Sequence, residues 1–201
     1  GALDEEGLGI ASDATGGMIT GRQMNFGGTS DCLFARVDLN GTLQWASSWG
    51  GNRNDVGRAI ARTAAGDFIM AGRSNSFGPY DHTSGIYHDQ RYLIALNMNG
   101  DTLWTRSVGD TIRDQGFNTI SITANGELYL AGEYPTDGNV DALVAKATSN
   151  GTPIWEHIYD LDDRDNPLDI RALTDGAVVC GWSFGPQSRQ VMVLRTDTQG
   201  N

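Results

Sequence analysis

Carboxylates recur along this chain in two patterns that could do chemistry. An acid opens each of four similar segments: Glu5, Asp55, Asp114 and Asp165. If the strands that follow them are innermost, these groups could ring the mouth of a central channel and attract a cation. The competing reading is that each caps a turn by accepting backbone N–H groups. The second pattern is the run Asp160-Leu161-Asp162-Asp163-Arg164-Asp165-Asn166. Asp160, Asp162, Asp163 and Asp165 are candidate calcium ligands, because calcium takes several hard oxygens from one flexible loop. The run lacks the glycine and distal glutamate of an EF-hand loop, so a solvated acidic turn competes with it.

A third group mixes rings with hydrogen-bonding groups. The segment 80–89 holds Tyr80, Asp81, His82, Tyr87, His88 and Asp89. Its two histidines and two aspartates could bind a metal, although loop spacing alone specifies little. Its aromatic faces beside polar groups suit a carbohydrate, whose C–H face stacks while its hydroxyls bond. Trp182, Tyr134, Phe26, Phe77 and Phe184 fall in comparable segments. The Phe-Gly pairs also read as pins that hold loops down. The candidate ligand-binding residues are therefore Tyr80, His82, Tyr87, His88 and Trp182. No nucleophile elbow, phosphate-cradling loop or metalloprotease helix is present. Paired acids for glycoside cleavage stay open, because their separation is a three-dimensional quantity.

The elements that must position these residues come from an internal repeat of about 50 residues, a period that decides architecture. Ile10, Ile60, Ile120 and Ile170 align, each followed six residues later by Gly16, Gly66, Gly126 or Gly176. Further on come Gly41, Gly100, Gly151 and Gly200, with Trp45, Trp104 and Trp155 four residues past the first three. The second repeat shows four short strands, over Ala59–Thr63, Phe68–Gly72, Arg91–Leu96 and Thr102–Arg106. Glycine-bearing turns such as Asn99-Gly100 join them, a hairpin signature. No segment sustains a 3.6-residue apolar period. The expectation is an all-β fold, a β-propeller of four-stranded antiparallel blades. The blades fall at approximately 4–51, 52–110, 111–160 and 161–201 of one domain spanning 1–201, the last incomplete. Trp45, Trp104 and Trp155 are expected to pack between blades.

Turn parity places the tight turns on one rim and the longer loops on the other. The long-loop rim, with about ten extra residues in the second repeat, is where function is expected. The unfinished fourth blade exposes an edge strand, which favours pairing with a second copy.

The chain has 14 Lys plus Arg against 25 Asp plus Glu, a net charge of −11. Nucleic acid and anionic membrane surfaces need a basic footprint, so neither is an expected partner. No stretch approaches a membrane-spanning length, and no signal peptide is visible. Cys32 and Cys180 lie in predicted strands and read as buried free thiols, with a disulfide closing first repeat to last as the alternative. Calcium aside, no cofactor is expected.

The blade pattern resembles the secreted bacterial β-propeller repeats of Bacteroidetes type. It is carried by Asp55-Val56-Gly57, Ile60, Ala71-Gly72, Ser76-Phe77-Gly78, Asp89, Asn99-Gly100 and Trp104. Ala35-Arg36-Val37-Asp38-Leu39-Asn40-Gly41 with Trp45 is also similar to the tryptophan-docking repeat of quinoproteins, shared by scaffold lipoproteins of outer-membrane assembly. The resemblance implies an extracellular, cell-surface or periplasmic protein. The leading expectation is a non-catalytic module that binds a glycan or a protein through the long-loop rim. The alternatives are a glycoside hydrolase or lyase with channel-mouth carboxylates, and a structural repeat of a larger exported assembly.

Overall fold

The computed structural model describes residues 4–110, 112–185 and 188–201. Thr111, Pro186 and Gln187, which fall in two of the expected rim loops, lie outside the described residues. Every regular element among the described residues is a strand. The first unit contains β1 (Glu5–Asp13), β2 (Gly16–Met24), β3 (Ser30–Asp38) and β4 (Leu43–Trp49), paired in that order. The second contains β5 (Asp55–Arg62), β6 (Phe68–Ser74), β9 (Gln90–Leu96) and β10 (Thr102–Val108), paired in that order. A small hairpin of β7 (Tyr80–Asp81) and β8 (Ile86–Tyr87) is inserted between β6 and β9. The third unit is β11 (Gly116–Ile122), β12 (Leu128–Pro135), β13 (Val140–Ala147) and β14 (Pro153–Tyr159). The fourth has three strands, β15 (Arg164–Leu173), β16 (Gly176–Phe184) and β17 (Arg189–Thr196). All pairing within units is antiparallel, and one parallel bridge, Val140 to Arg164, ties the third unit to the fourth.

The register shows why these segments are strands. In β6 and β9 successive side chains point to opposite faces, yet both faces are buried, because the second unit is sandwiched between the first and the third. Phe68, Met70, Tyr92 and Ile94 face the first unit. Ile69, Ala71, Leu93 and Ala95 face the third. The strands therefore read as near-continuous apolar runs rather than strict alternations. Their tight turns are locally determined. Asn97 Oδ1 accepts the N–H groups of Asn99 and Asp101, and Asp38 Oδ1 accepts those of Asn40 and Thr42. Gly41 and Gly100 then take φ of 79° and 87°, the left-handed region that closes such hairpins.

First strands of successive units pack side by side, β1 on β5, β5 on β11 and β11 on β15. The strand-four tryptophans lie in these junctions. A Cβ added at Gly100 would sit 2.7 Å from the Trp45 ring, and one at Gly151 3.0 Å from the Trp104 ring. At Gly200 the corresponding neighbours are His157 and Trp155. At Gly41, in the first unit, nothing lies within 4 Å.

That contrast extends over both terminal units. No comparable packing joins the fourth unit to the first among the described residues. Val193 occupies the register position of Phe34, Leu93 and Val144, which are at most 1% exposed, but it is 67% exposed. Val191 is 85% exposed where Cys32 and Ala142 are fully buried. Cys180 lies on the same open face and is exposed, against the expectation of a buried thiol; Cys32 is buried, and both are free. The alignment of opening acids also shifts by one in the third unit. Gln115, rather than Asp114, occupies the place of Asp55 and Asp165.

Candidate functional site

The loops 25–29, 50–54, 75–89, 136–139 and 160–163, with the described residues 109–110, 112–115, 185 and 188, share one rim, opposite the tight turns. Among the described residues, an inserted hairpin, β7–β8, rises from the second unit alone. Its ring cluster has Tyr80 and Tyr87 centroids 4.7 Å apart, with His82 edge-on to Tyr80 at 5.0 Å. Arg53, from the preceding loop, places its guanidinium 3.8 Å from the Tyr87 ring. Tyr80 and His82 are exposed and Tyr87 is half-buried. Asp81 sets the turn between the strands by accepting the N–H of Thr83 at 2.7 Å and of Ser84 at 3.2 Å. These bonds, with the Ser84 hydroxyl first among them, hold its carboxyl below the usual range.

His88 is separate from this surface. It is 8% exposed, with Nδ1 3.2 Å from Asp114 Oδ1 and Nε2 4.0 Å from Asp81 Oδ2. It fastens the hairpin to the next loop instead of facing solvent. Trp182 is half-buried at the far side of the rim, in the fourth unit. Arg189 lies 4.2 Å and Arg164 5.8 Å from its ring, a cation–π arrangement. Of the expected phenylalanine pins, Phe77 packs at a tilt on Trp49 at 4.6 Å and stacks on Tyr92 at 5.6 Å. Phe26 is 92% exposed and pins nothing.

Near the inner strands the same rim holds a polar cleft of about 160 Å³. Arg73 pairs with Asp89 at 3.0 Å, and Arg164 with Glu133 at 3.1 Å. Arg58 lines the cleft, its Nε buried without a hydrogen-bond partner, and no ion pair to it occurs among the described residues. Burial, then the charge of Arg73, lower its pKa from the ordinary arginine value. An arginine held this way is available to an acceptor from outside. Asn75 donates to the Tyr87 carbonyl at 2.8 Å and to Asp89 at 3.2 Å, so the ring cluster is braced directly against the cleft wall. Sequence reasoning missed Arg53 and Arg58, since an isolated arginine carries no spacing signature.

The opening acids do not share one mouth. Asp55 is fully buried at the junction of first and second units, where it accepts the Gly51 N–H at 2.9 Å and the Ser76 hydroxyl at 2.7 Å. Asp165 is fully buried at the third junction and accepts the Leu161 N–H at 2.9 Å. Asp114 is exposed and occupied by His88 and the Asp89 N–H. Asp55, Asp114 and Asp165 each give one oxygen to loop backbone, whereas the exposed Glu5 accepts from Gln23 Nε2 at 3.3 Å. Of the four candidate calcium ligands, Asp160 and Asp165 come together, joined by Asp141 from β13, with one oxygen of each within 4.8 Å of the others. Asp162 and Asp163 are outside this cluster. Asp141 escaped the sequence reading because it lies about 20 residues upstream on another strand.

A larger hollow, of about 390 Å³, opens on the tight-turn rim between third and fourth units. Its charges are internally satisfied: Lys146 pairs with Glu127 at 2.9 Å and lies 5.5 Å from the Tyr129 ring.

No known protein-family model matches the sequence, and no curated protein does. Among solved structures, a thermostable family-43 glycoside hydrolase superposes with a TM-score of 0.56 at 12% identity, over 92% of this chain and 69% of its own. A gluconolactonase from Xanthomonas campestris gives 0.46 at 14% identity, over 100% of this chain and 74% of its own. The tail fiber of Staphylococcus aureus phage P68 gives 0.35 at 10% identity, over 95% and 52%. The first likeness concerns the fold alone, and with the antiparallel units above it identifies this chain as an all-β, propeller-like structure.

Proposed function

We propose that the four units are blades of a β-propeller and that the chain is a non-catalytic binding module whose long-loop rim takes a carbohydrate. The observation that carries this reading is the Tyr80–His82–Tyr87 cluster, raised on a hairpin found, among the described residues, in one blade only and backed by Arg53. A scaffold aromatic would recur from blade to blade and pack in a junction, as the half-buried Trp45, Trp104 and Trp155 do in the first three. These rings recur nowhere, and two of them face solvent. The adjacent Arg58 cleft favours a sugar bearing a carboxylate or other acceptor group. Hydrolase chemistry is less well supported, because the opening acids do not share one mouth and Asp55 and Asp165 are fully buried at separate junctions.

The test is binding to a panel of neutral and acidic glycans, compared with Tyr80→Ala and Arg58→Gln. Saturable binding lost on Tyr80→Ala supports the reading, and selective loss of acidic ligands on Arg58→Gln adds the cleft. No binding across the panel, or binding indifferent to Tyr80, overturns it.

A second reading has its own observation. The open faces around Val191 and Val193 and around Ile10 carry the two halves of the inter-blade junction that is filled three times within the chain. These faces favour a structural repeat that seats a further blade, the simplest source being a second copy placed head to tail. Sedimentation checks this: a concentration-dependent dimer abolished by Val193→Asp supports it, and a monomer at every concentration rejects self-association.

A further inference from the structure

The three junctions contain the same pair of buried polar positions with different residues. By register, Asp31 and Asp55 fill them in the first junction, Gln90 and Gln115 in the second, and Asp141 and Asp165 in the third. All but Asp31 are at most 5% exposed. A third position, at the end of the fourth strand, is Gly50, Gly109 and Asp160 in turn. In the first two junctions it has no room for a side chain. A Cβ at Gly50 would lie 2.2 Å from Asp31 Oδ1, and one at Gly109 2.0 Å from Gln90 Oε1. The third junction admits a side chain there, and that side chain is another carboxylate.

Three acids at a buried junction are electrostatically costly unless a cation joins them. Nothing in the protein supplies one. No lysine, arginine or histidine pairs with Asp141, Asp160 or Asp165 among the described residues. Asp141 Oδ1 and Asp165 Oδ1 are buried without hydrogen-bond partners. Independently of the acids, Ser183 is 8% exposed and its buried hydroxyl also lacks a partner. Ser183 is the cross-strand partner of Asp165, which puts both side chains on the same face of the blade. Asn139 donates to Asp160 Oδ1 at 3.3 Å and so steadies the exposed member of the trio. Burial, then the charge of Asp160, pushes the Asp141 carboxyl up, the response of a carboxylate lacking its counter-ion.

We propose that Asp141, Asp160 and Asp165 hold one divalent cation of the calcium class at the junction of the third and fourth blades, with the Ser183 hydroxyl facing it. The donors are all oxygen, which selects a hard cation. Calcium takes about six to eight oxygens, and three carboxylates leave positions for hydroxyl, carbonyl and water. The middle junction needs no counter-ion, since Gln90 and Gln115 are neutral amides at the positions of Asp141 and Asp165. The cation would lock the three-stranded fourth blade onto the third, a structural role separate from the rim.

The experiment uses the whole chain, stripped with EDTA and titrated with calcium chloride by calorimetry, with melting followed in parallel. One saturating site per chain and a higher Tm are expected. Asp141→Gln/Asp165→Gln, which copies the second junction, should lose the site and melt above the stripped parent. Asp160→Gly, which copies the first junction, serves as the milder variant should the double one fail to fold, and should weaken binding at least tenfold. Absence of heat and of a Tm shift with calcium, magnesium or manganese overturns the proposal, as does binding that survives these substitutions. The outcome is independent of glycan binding, which is read at Tyr80.

Discussion

Ile10 and Ile60 hold the same register position in successive units, yet Ile10 is 63% exposed and Ile60 is 7% exposed. Ile120 and Ile170, at 5% and 0%, follow Ile60. The residue type was kept where the local structure has no use for it, so truncation should be position-dependent. Ile170→Ala should cost about 2–4 kcal/mol of folding stability, and Ile10→Ala at most about 0.5 kcal/mol. Urea unfolding of the two variants checks this; equal losses would mean that the Ile10 face is covered in solution.

The junction tryptophans allow a second contrast. Trp104→Ala should destabilise by about 3–5 kcal/mol, because it empties the space over Gly151 and Leu93. Gly151→Ala forces a Cβ to within 3.0 Å of that ring at a φ of 77°, whereas Gly41→Ala bears only the backbone strain. Thermal melts should rank Gly151→Ala below Gly41→Ala. The reverse order would show that strain, not the ring, governs these positions.

Acid should weaken the first unit through Asp13. Arg36 and Thr15 hold this carboxyl far below the usual range, and the Arg36–Asp13 pair at 2.8 Å is enclosed, with side chains 8% and 3% exposed. A carboxylate whose folded pKa is depressed contributes stability above its unfolded value of about 4, and that stability is lost as the pH falls through and below it. Arg36→Met should cost about 3 kcal/mol at pH 7 by leaving Asp13 unpaired, and the deficit should shrink toward pH 2. Urea midpoints at pH 7 and pH 2.5 give the comparison; a deficit independent of pH would point to lost packing on Phe68 instead.

Tyr92 is buried in the stack with Trp49 and Phe77, and burial pushes its hydroxyl up to about 12. A spectrophotometric titration should leave at least one tyrosine un-ionised at pH 11 in the folded protein, with one fewer in Tyr92→Phe. Ionisation of all tyrosines near pH 10 before unfolding would contradict this burial.

The strands and the all-β class were legible because their determinants are local. Gly100, Gly151 and the Asn97 and Asp38 side chains close hairpins within five residues, and Ile10, Ile60, Ile120 and Ile170 mark the period without reference to anything distant. Tyr80, His82 and Tyr87 were legible as a ring-rich insertion for the same reason. What the sequence could not contain was proximity between units. Only the pairing of β13 with β14 brings Asp141 to Asp160, and only the packing of β13 against β15 adds Asp165, while leaving Asp162 and Asp163 aside. Only the arrangement of units turns His88 inward against Asp114, puts Gln115 in the junction place assigned to Asp114, and leaves Cys180 and Val193 on an open face. A repeat specifies each sheet through neighbours along the chain. Burial, charge pairing and access are set by neighbours across the junctions, which belong to the tertiary structure alone.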